Sequence, residues 1–306
     1  MQPLRVGVIG SFNQDTISVP GQAPRHSLGG ILYTLGALAH LGGDAVEVWP
    51  LGQVGADIAP LVADFLGGCP GFHLDGLQVV DSPAFHSHIR YFADGQKEER
   101  LIGDIGPLEW DDIEPFIDHL DGLLVNFITG FEVRRECLAT IRRRSRGPIL
   151  MDVHSLTLGR HANGRRYWRC PDDWRGWVEL ADTVQMNQAE ATLLSQGQGL
   201  RPFAGRVLDL GPQVVVLTLG EEGVLGAWRT PAGASYYQQA ANSVDQMVDP
   251  TGCGDVFLAG LGVGWALGLE VEQTLLLANR AAGYNCQLQG VGQLQALARL
   301  QRPGTC

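Results

Sequence analysis

The chain has 306 residues, with 22 Lys plus Arg against 33 Asp plus Glu and a formal net charge of −11, which opposes nucleic-acid phosphates as general partners. Only one basic residue is a lysine, Lys97, in Asp94-Gly95-Gln96-Lys97-Glu98-Glu99. The P-loop G-x-x-x-x-G-K-[ST], the protein-kinase V-A-I-K and the β-lactamase S-x-x-K are therefore all absent. Any phosphate site here works without a P-loop lysine.

Glycine, at 41 of 306, exceeds the usual share of about 7%, but 45% apolar residues suffice for a core, so the chain reads as globular and loop-rich. The six cysteines (69, 137, 170, 253, 286, 306) form no C-x-x-C pair and no signal peptide leads the sequence, which implies free thiols and a cytoplasmic protein. The longest uncharged apolar run, Val256 to Leu269, is 14 residues, short of the roughly 20 a membrane helix needs.

In chain order, short β-branched runs alternate with helical patterns. Leu4 to Ile9 precedes a helix over Gly30 to Leu41, Ala45 to Pro50 precedes Ile58 to Leu66, and Gly122 to Phe127 precedes Val133 to Arg144. The strands Ile149 to Val153, Val184 to Met186 and Val214 to Leu219 follow, with a helix over Gln188 to Ser195. Near-continuous apolar strands separated by helices predict a doubly wound α/β domain with a mainly parallel sheet. Ala84 to Phe92 and Glu99 to Gly103 flank Asp94-Gly95, a hairpin signal, and predict an antiparallel insertion covering a substrate cleft or a partner subunit. The expected organisation is a single domain, 1–306, with lid insertions over about 11–28 and 84–103.

Two basic segments carry a local reading first. Arg142 to Arg146 reads as the solvated last turn of a helix, favoured by its dipole. Arg160 to Trp177, with five arginines and three tryptophans, reads as a long loop fastened over the sheet, with contact to an anionic or ring-bearing ligand as the alternative. His86 and His88 share a strand face but lack a third ligand, so they read as lid surface, and His154 reads as a packing residue or one supporting the residues of a site.

The sharpest segment is Asp249-Pro250-Thr251-Gly252-Cys253-Gly254-Asp255, running directly into the apolar stretch. A glycine-rich turn opening a helix presents unpaired N–H groups and the positive end of the dipole, an anion site. Asp255 adds a carboxylate able to take a proton beside a bound phosphate. The residues alone equally allow a helix cap with glycines for close packing. The Cys253 thiol at a helix start invites a lowered pKa, but a buried structural cysteine is the preferred reading.

This segment resembles the D-[TP]-T-G-[AC]-G-D signature of the ribokinase-like PfkB carbohydrate kinase family, and the likeness continues in the family's order from residue 4 to about 292. Gly10-Ser11-Phe12-Asn13-Gln14-Asp15 looks like G-S-x-N-x-D, Leu28-Gly29-Gly30 like the substrate-side Gly-Gly, and Leu51 to Asp57 like G-x-V-G-x-D. Asn187-Gln188-Ala189-Glu190 looks like N-x-x-E, Val214 to Gly223 like the strand and turn leading to the nucleotide, and Ala278 to Ala282 like the helix beside adenine. Locally, Asn13 and Asp15 also fit an Asx turn, Gly29-Gly30 a tight turn, and Asn187 with Glu190 a capping box.

The resemblance implies an ATP-dependent sugar kinase with Asp255 as base and Gly252, Cys253 and Gly254 as phosphate donors. It implies Asn13, Asp15, Gly29 and Gly30 at the sugar, and Asn187, Thr218, Gly220, Gly223 and Asn279 at the nucleotide. Glu190 would act on Mg²⁺ through water, Asp249 and Thr251 would hold a monovalent cation such as K⁺, and the lid would pair in a homodimer. Ribokinase itself has a Lys and an Asn after its Gly-Gly, where this chain has Ile31, Leu32, Tyr33 and Thr34, so ribose is not the default acceptor. A nucleoside kinase of the same fold and a non-catalytic ligand-binding relative are the alternatives.

Overall fold

The computed structural model describes residues 2–301 apart from 95, 243, 245 and 246. Gly95 of the hairpin signal and Cys306 thus lie outside the described residues. Strand β1 (Leu4–Ile9) leads into the hairpin β2 (Phe12–Ser18) and β3 (Arg25–Gly30), then helix α1 (Leu32–Gly42), β4 (Val46–Gly55), α2 (Ala59–Gly67) and β5 (Leu77–Val80). A second hairpin, β6 (Phe85–Tyr91) and β7 (Lys97–Ile102), precedes α3 (Trp110–Ile117), β8 (Gly122–Asn126), α4 (Arg135–Arg144) and β9 (Ile149–Asp152). The short pair β10 (Leu158–Arg160) and β11 (Arg166–Trp168) leads to α5 (Trp174–Val178), β12 (Thr183–Asn187), α6 (Gln188–Ser195), α7 (Leu200–Asp209) and β13 (Val214–Thr218). The hairpin β14 (Val224–Thr230) and β15 (Gly233–Gln239) is followed by α8 (Cys253–Ala266) and α9 (Val271–Asn285).

The central sheet has the order β15-β14-β13-β12-β9-β8-β1-β4-β5, parallel from β13 through to β5, with β14 and β15 antiparallel at one edge. Its central strands are buried on both faces, as in Gly122–Asn126, which explains their unbroken apolar runs. The chain builds β4 and β5 on one side of β1 and then turns to β8 on the other. The C-terminal ends of β1 and β8 thus flank the point where the winding reverses, the usual crevice for ligands. Four polar residues end parallel strands on that side: Asn126, Asp152, Asn187 and Thr218.

One face of the sheet is covered by α1, α8 and α9. Helix α8 is apolar almost all round because it is sandwiched, and Gly260 lets it approach the backbone of Ala278 in α9. The lid is a separate four-stranded sheet, β3-β2-β6-β7. The β6–β7 hairpin is antiparallel, as expected, and so is β2–β3, but the two join through a parallel pairing of β2 with β6, a long-range contact that turn chemistry does not encode.

The Arg/Trp segment fastens this lid. Gly164 accepts from Leu101 N at 2.9 Å, Arg160 Nη1 donates to Gly103 O at 2.7 Å, and Arg166 Nη1 donates to Thr129 O at 2.8 Å. Arg160 also stacks over Phe131 at 4.9 Å, while Trp174 is buried beside Phe203. Of the basic run, Arg142 forks onto Asp182 at 2.7 and 2.9 Å and Arg144 reaches Asp118 at 3.3 Å, so it is pinned to the sheet and α3 as well as solvated. Among the described residues no helix is long and apolar enough to cross a membrane.

Candidate active site

Two cavities meet at the start of α8. The first, about 330 Å³, lies between the strand ends and the lid, and its lining includes Asn13, Asp15, Lys97, Glu99, His154 and Asp255. The second, about 580 Å³, lies over α8 and α9 and includes Gly220, Gly223, Phe257, Asn279 and Ala282. Thr218, Pro250, Cys253 and Gly254 line both. The turn between them is made possible by Gly252, the residue preceding α8, whose φ of 77° is left-handed. A Cβ there would also run into the Tyr33 ring. Cys253, Gly254 and Asp255 are the first three residues of α8, so their N–H groups are the unpaired donors of a helix start.

Asp255 keeps contact with the first cavity while sitting deep among protein atoms. Its Oδ1 accepts from Asn126 Nδ2 at 2.7 Å, and Asn126 Nδ2 also donates to Thr34 Oγ1 at 2.9 Å. Burial raises the Asp255 pKa above the usual carboxylate value, against the opposing pull of the Asn126 hydrogen bond and the His154 charge. Asn126 was not singled out from sequence. The available signal was its position, a fully buried polar residue closing an apolar parallel strand at the winding reversal.

Asp15 is 6% exposed, and burial together with the charges of Glu99 and Asp255 pushes its pKa up to about 7. Gly29 pairs with Asn13 in the β2–β3 register, where a Cβ would overlap the Asp15 carboxylate, and Gly30 has a φ of 62°. Asn13 Nδ2 donates to Ser87 Oγ at 3.4 Å, while its Oδ1 and Gln185 Oε1 are buried at the cavity without a protein partner, open to a ligand donor. Lys97, the chain's one lysine, lies in this cavity with its Nζ 3.2 Å from Glu99 Oε2.

Asn187 and Glu190 form the expected capping box: Glu190 N donates to Asn187 Oδ1 at 3.0 Å, and Asn187 N to Glu190 Oε2 at 2.8 Å. Both line the first cavity beside the turn, not the second, so Asn187 stands apart from the other residues expected at the nucleotide. Glu190 is 1% exposed and also engages His154 Nδ1 at 2.8 Å. Burial favours neutral His154, but the Glu190 hydrogen bond and charge outweigh it and push the pKa up to about 9. Burial and the nearby Glu190 push Asp152 up to about 8, and its carboxylate accepts from Gln185 Nε2 at 2.9 Å. His154 thus lines the cavity and supports Glu190, the second of the two roles its sequence allowed.

The second cavity carries Gly220 (φ 60°), Gly223 (φ 92°) and Asn279, whose Nδ2 donates to Ala240 O at 2.7 Å. Asp249 Oδ1 accepts from Thr251 N at 3.0 Å, and its Oδ2 is 3.3 Å from Arg25 Nη1 of the lid. Arg25 already supplies a cation there, so this carboxylate is a poor fit for a monovalent ion. His86 and His88 stack at 4.0 Å, with His86 Nε2 on Thr16 Oγ1 at 2.7 Å. No group of three or more metal-ligating side chains occurs among the described residues.

A family model described as pfkB family carbohydrate kinase matches residues 166–296. Over these residues, less than half of the chain, the sequence is similar to the PfkB family. A fructoselysine 6-kinase from Shigella flexneri is 31% identical over 119 residues, covering 39% of this chain and 44% of that relative, so the match spans less than half its length. A cytidine kinase from Thermococcus kodakarensis is 22% identical over 280 residues, covering 88% and 91%. The ribokinase structure from Thermotoga maritima superposes with a TM-score of 0.76 at 20% identity, covering 97% of this chain and 98% of that one. Sugar and nucleoside kinases alike are thus among the proteins this chain resembles, and its fold is ribokinase-like.

Proposed function

We propose that the chain transfers the γ-phosphoryl group of ATP to a hydroxyl of a sugar. The observation that carries this reading is the meeting of two cavities at one glycine-rich helix start, with Asp255 facing the smaller. The larger cavity falls within the roughly 300–1,000 Å³ of ligand pockets, and its apolar Phe257 and Ala282 suit a flat base leading to phosphates at the turn. The smaller carries many carboxylates and amides, which suit a polyol, beside Tyr33 and Tyr91, which would suit the base of a nucleoside.

In this site Asp15 and Asn13 hold acceptor hydroxyls, and the Gly29-Gly30 turn keeps backbone close to them. Asn126 fixes one oxygen of Asp255, leaving the other to accept the proton of the attacking hydroxyl. The N–H groups of residues 252–255 stabilise the negative charge of the transferred group. Buried Glu190 and its partner Asn187 fit a water-mediated role toward Mg²⁺, which when bound neutralises phosphate charge. Positive charge from His154 lies beside the same carboxylates.

The test is ADP release across a panel of pentoses, hexoses, fructoselysine, cytidine and adenosine, repeated with Asp255→Asn. One sugar should stand out, and the variant should lose at least about 10²-fold in turnover while its melting temperature and ATP affinity hold. Preference for a nucleoside would move the assignment to the nucleoside kinases. Failure of every acceptor despite ATP binding would make the chain a non-catalytic relative.

A further inference from the structure

The two cysteines at the larger cavity lie far apart in sequence but together in space. Cys253 Sγ, on the first residue of α8, is 2.9 Å from Cys286 Sγ, on the residue that closes α9. Both are half-buried and line the same cavity, which gives a small oxidant a path to them. The other described cysteines are engaged elsewhere: Cys69 with His40 and Phe65 O, Cys137 buried, Cys170 near Pro171 O.

We propose that Cys253 and Cys286 are a reversible thiol–disulfide site that controls the phosphate-binding turn. A disulfide needs sulfurs at about 2.05 Å, so the two must close by on the order of 1 Å. Helices α8 and α9 resist that movement because Gly260 packs on the backbone of Ala278. The turn before α8 therefore has to yield. It is already wired to the end of α9: Cys286 O accepts from Val248 N at 2.8 Å and Asp249 N at 3.2 Å, and Asn285 Nδ2 donates to Thr251 O at 3.0 Å. Any shift of Cys286 is thus carried into residues 248–253, whose last N–H groups face the phosphate.

The oxidant is a low-molecular-weight disulfide such as glutathione disulfide. One cysteine thiolate attacks it, forming a mixed disulfide and expelling one glutathione thiolate. The second cysteine thiolate then attacks the protein sulfur of that mixed disulfide and expels the other. The two protein thiols lose two electrons and two protons, and the reagent is reduced to two glutathione thiols. A dithiol reverses both steps.

The effect on ATP rests on the kinase reading, whereas the linkage does not. The full chain is equilibrated with glutathione disulfide, quenched with an alkylating agent and cut with trypsin, whose fragments 230–280 and 281–299 hold one of the two cysteines each. The expected result is one linked fragment pair lighter by two hydrogens, restored by dithiothreitol, with ATP affinity about tenfold or more weaker in the oxidised protein. Cys286→Ser should show no such pair and the same ATP affinity before and after oxidant. Absence of the pair, linkage through Cys69, Cys137 or Cys170 in its place, or a linked protein that binds ATP as the reduced one does would overturn the proposal. If neither form binds ATP, the donor reading fails, and the linked fragments alone decide the thiol site.

Discussion

The two cavities are built from opposite materials. The smaller is walled by charged side chains brought from strand ends and lid, among them Asp15, Lys97, Glu99, His154 and Asp255. The larger is shaped by backbone turns at Gly220 and Gly223 and by the apolar flank of α8 and α9. The first can discriminate among hydroxyl and amino groups, because an unmatched polar contact leaves a buried charge unpaired. The second offers mainly shape, with fewer polar side chains, Thr218, Glu221, Asn242 and Asn279 among them. Substitutions on the two sides should therefore separate kinetically, with turnover most sensitive at the turn they share.

Gly252→Ala attacks that shared turn and should give the largest effect of the substitutions on this boundary. Alanine is strained at φ 77°, and its methyl group would displace the Tyr33 ring or the backbone donors. Turnover should fall by about 10²-fold or more, the cost of losing one preorganised donor, with the acceptor KM changing far less. Equal changes in both constants would show that the turn also shapes the acceptor cavity.

On the acceptor side, Asp15→Asn keeps the shape and removes the charge. Assayed well above pH 7, where the Asp15 carboxylate is ionised, losing charge-assisted hydrogen bonds worth about 1.5–3 kcal/mol should raise the acceptor KM by about 10- to 10²-fold, with ATP affinity intact. Stability reports the same group. Its pKa rises from 3.8 when free to about 7 when folded, so the folded state holds a proton the unfolded chain has released. Below about pH 4 this costs nothing. The penalty grows as pH rises to about 7 and is constant above. The asparagine variant should thus gain melting temperature on the parent across that window, and a parallel shift at every pH would contradict the assigned pKa.

Legibility in the sequence followed the same division. The turn at 252–255 was readable because a left-handed residue before an apolar helix demands glycine, and the helix over Gln188–Ser195 was readable from its capping box. Helix α1 starts two residues later than its pattern suggests, because Gly30 stays paired with Phe12 in the lid. Strand β4 runs on to Gly55 through Pro50, tolerated because β4 pairs with β5 only from Gly52 onward. What could not be read were contacts made across the chain. Asn126 acquires its meaning from Asp255, 129 residues away, and Cys253 from Cys286, 33 away in no motif spacing. Lys97, which in the sequence only excludes P-loop chemistry, sits in the wall of the smaller cavity at the start of β7.

The finest probe of the boundary is Asn126→Ala, which touches neither ligand directly. Removing its amide leaves Asp255 Oδ1 without that donor in a buried setting, so the Asp255 pKa, already raised by burial, should climb further. A general base works ionised, so turnover falls as pH drops through that pKa. The acid limb of kcat should already be raised in the parent, and the variant should carry it further upward, because the ionised carboxylate loses a hydrogen bond. Above both limbs the variant should retain turnover within about tenfold, because the base is present and ionised there. A limb that stays in place while turnover drops equally at every pH would mean that Asn126 orients Asp255 without tuning it.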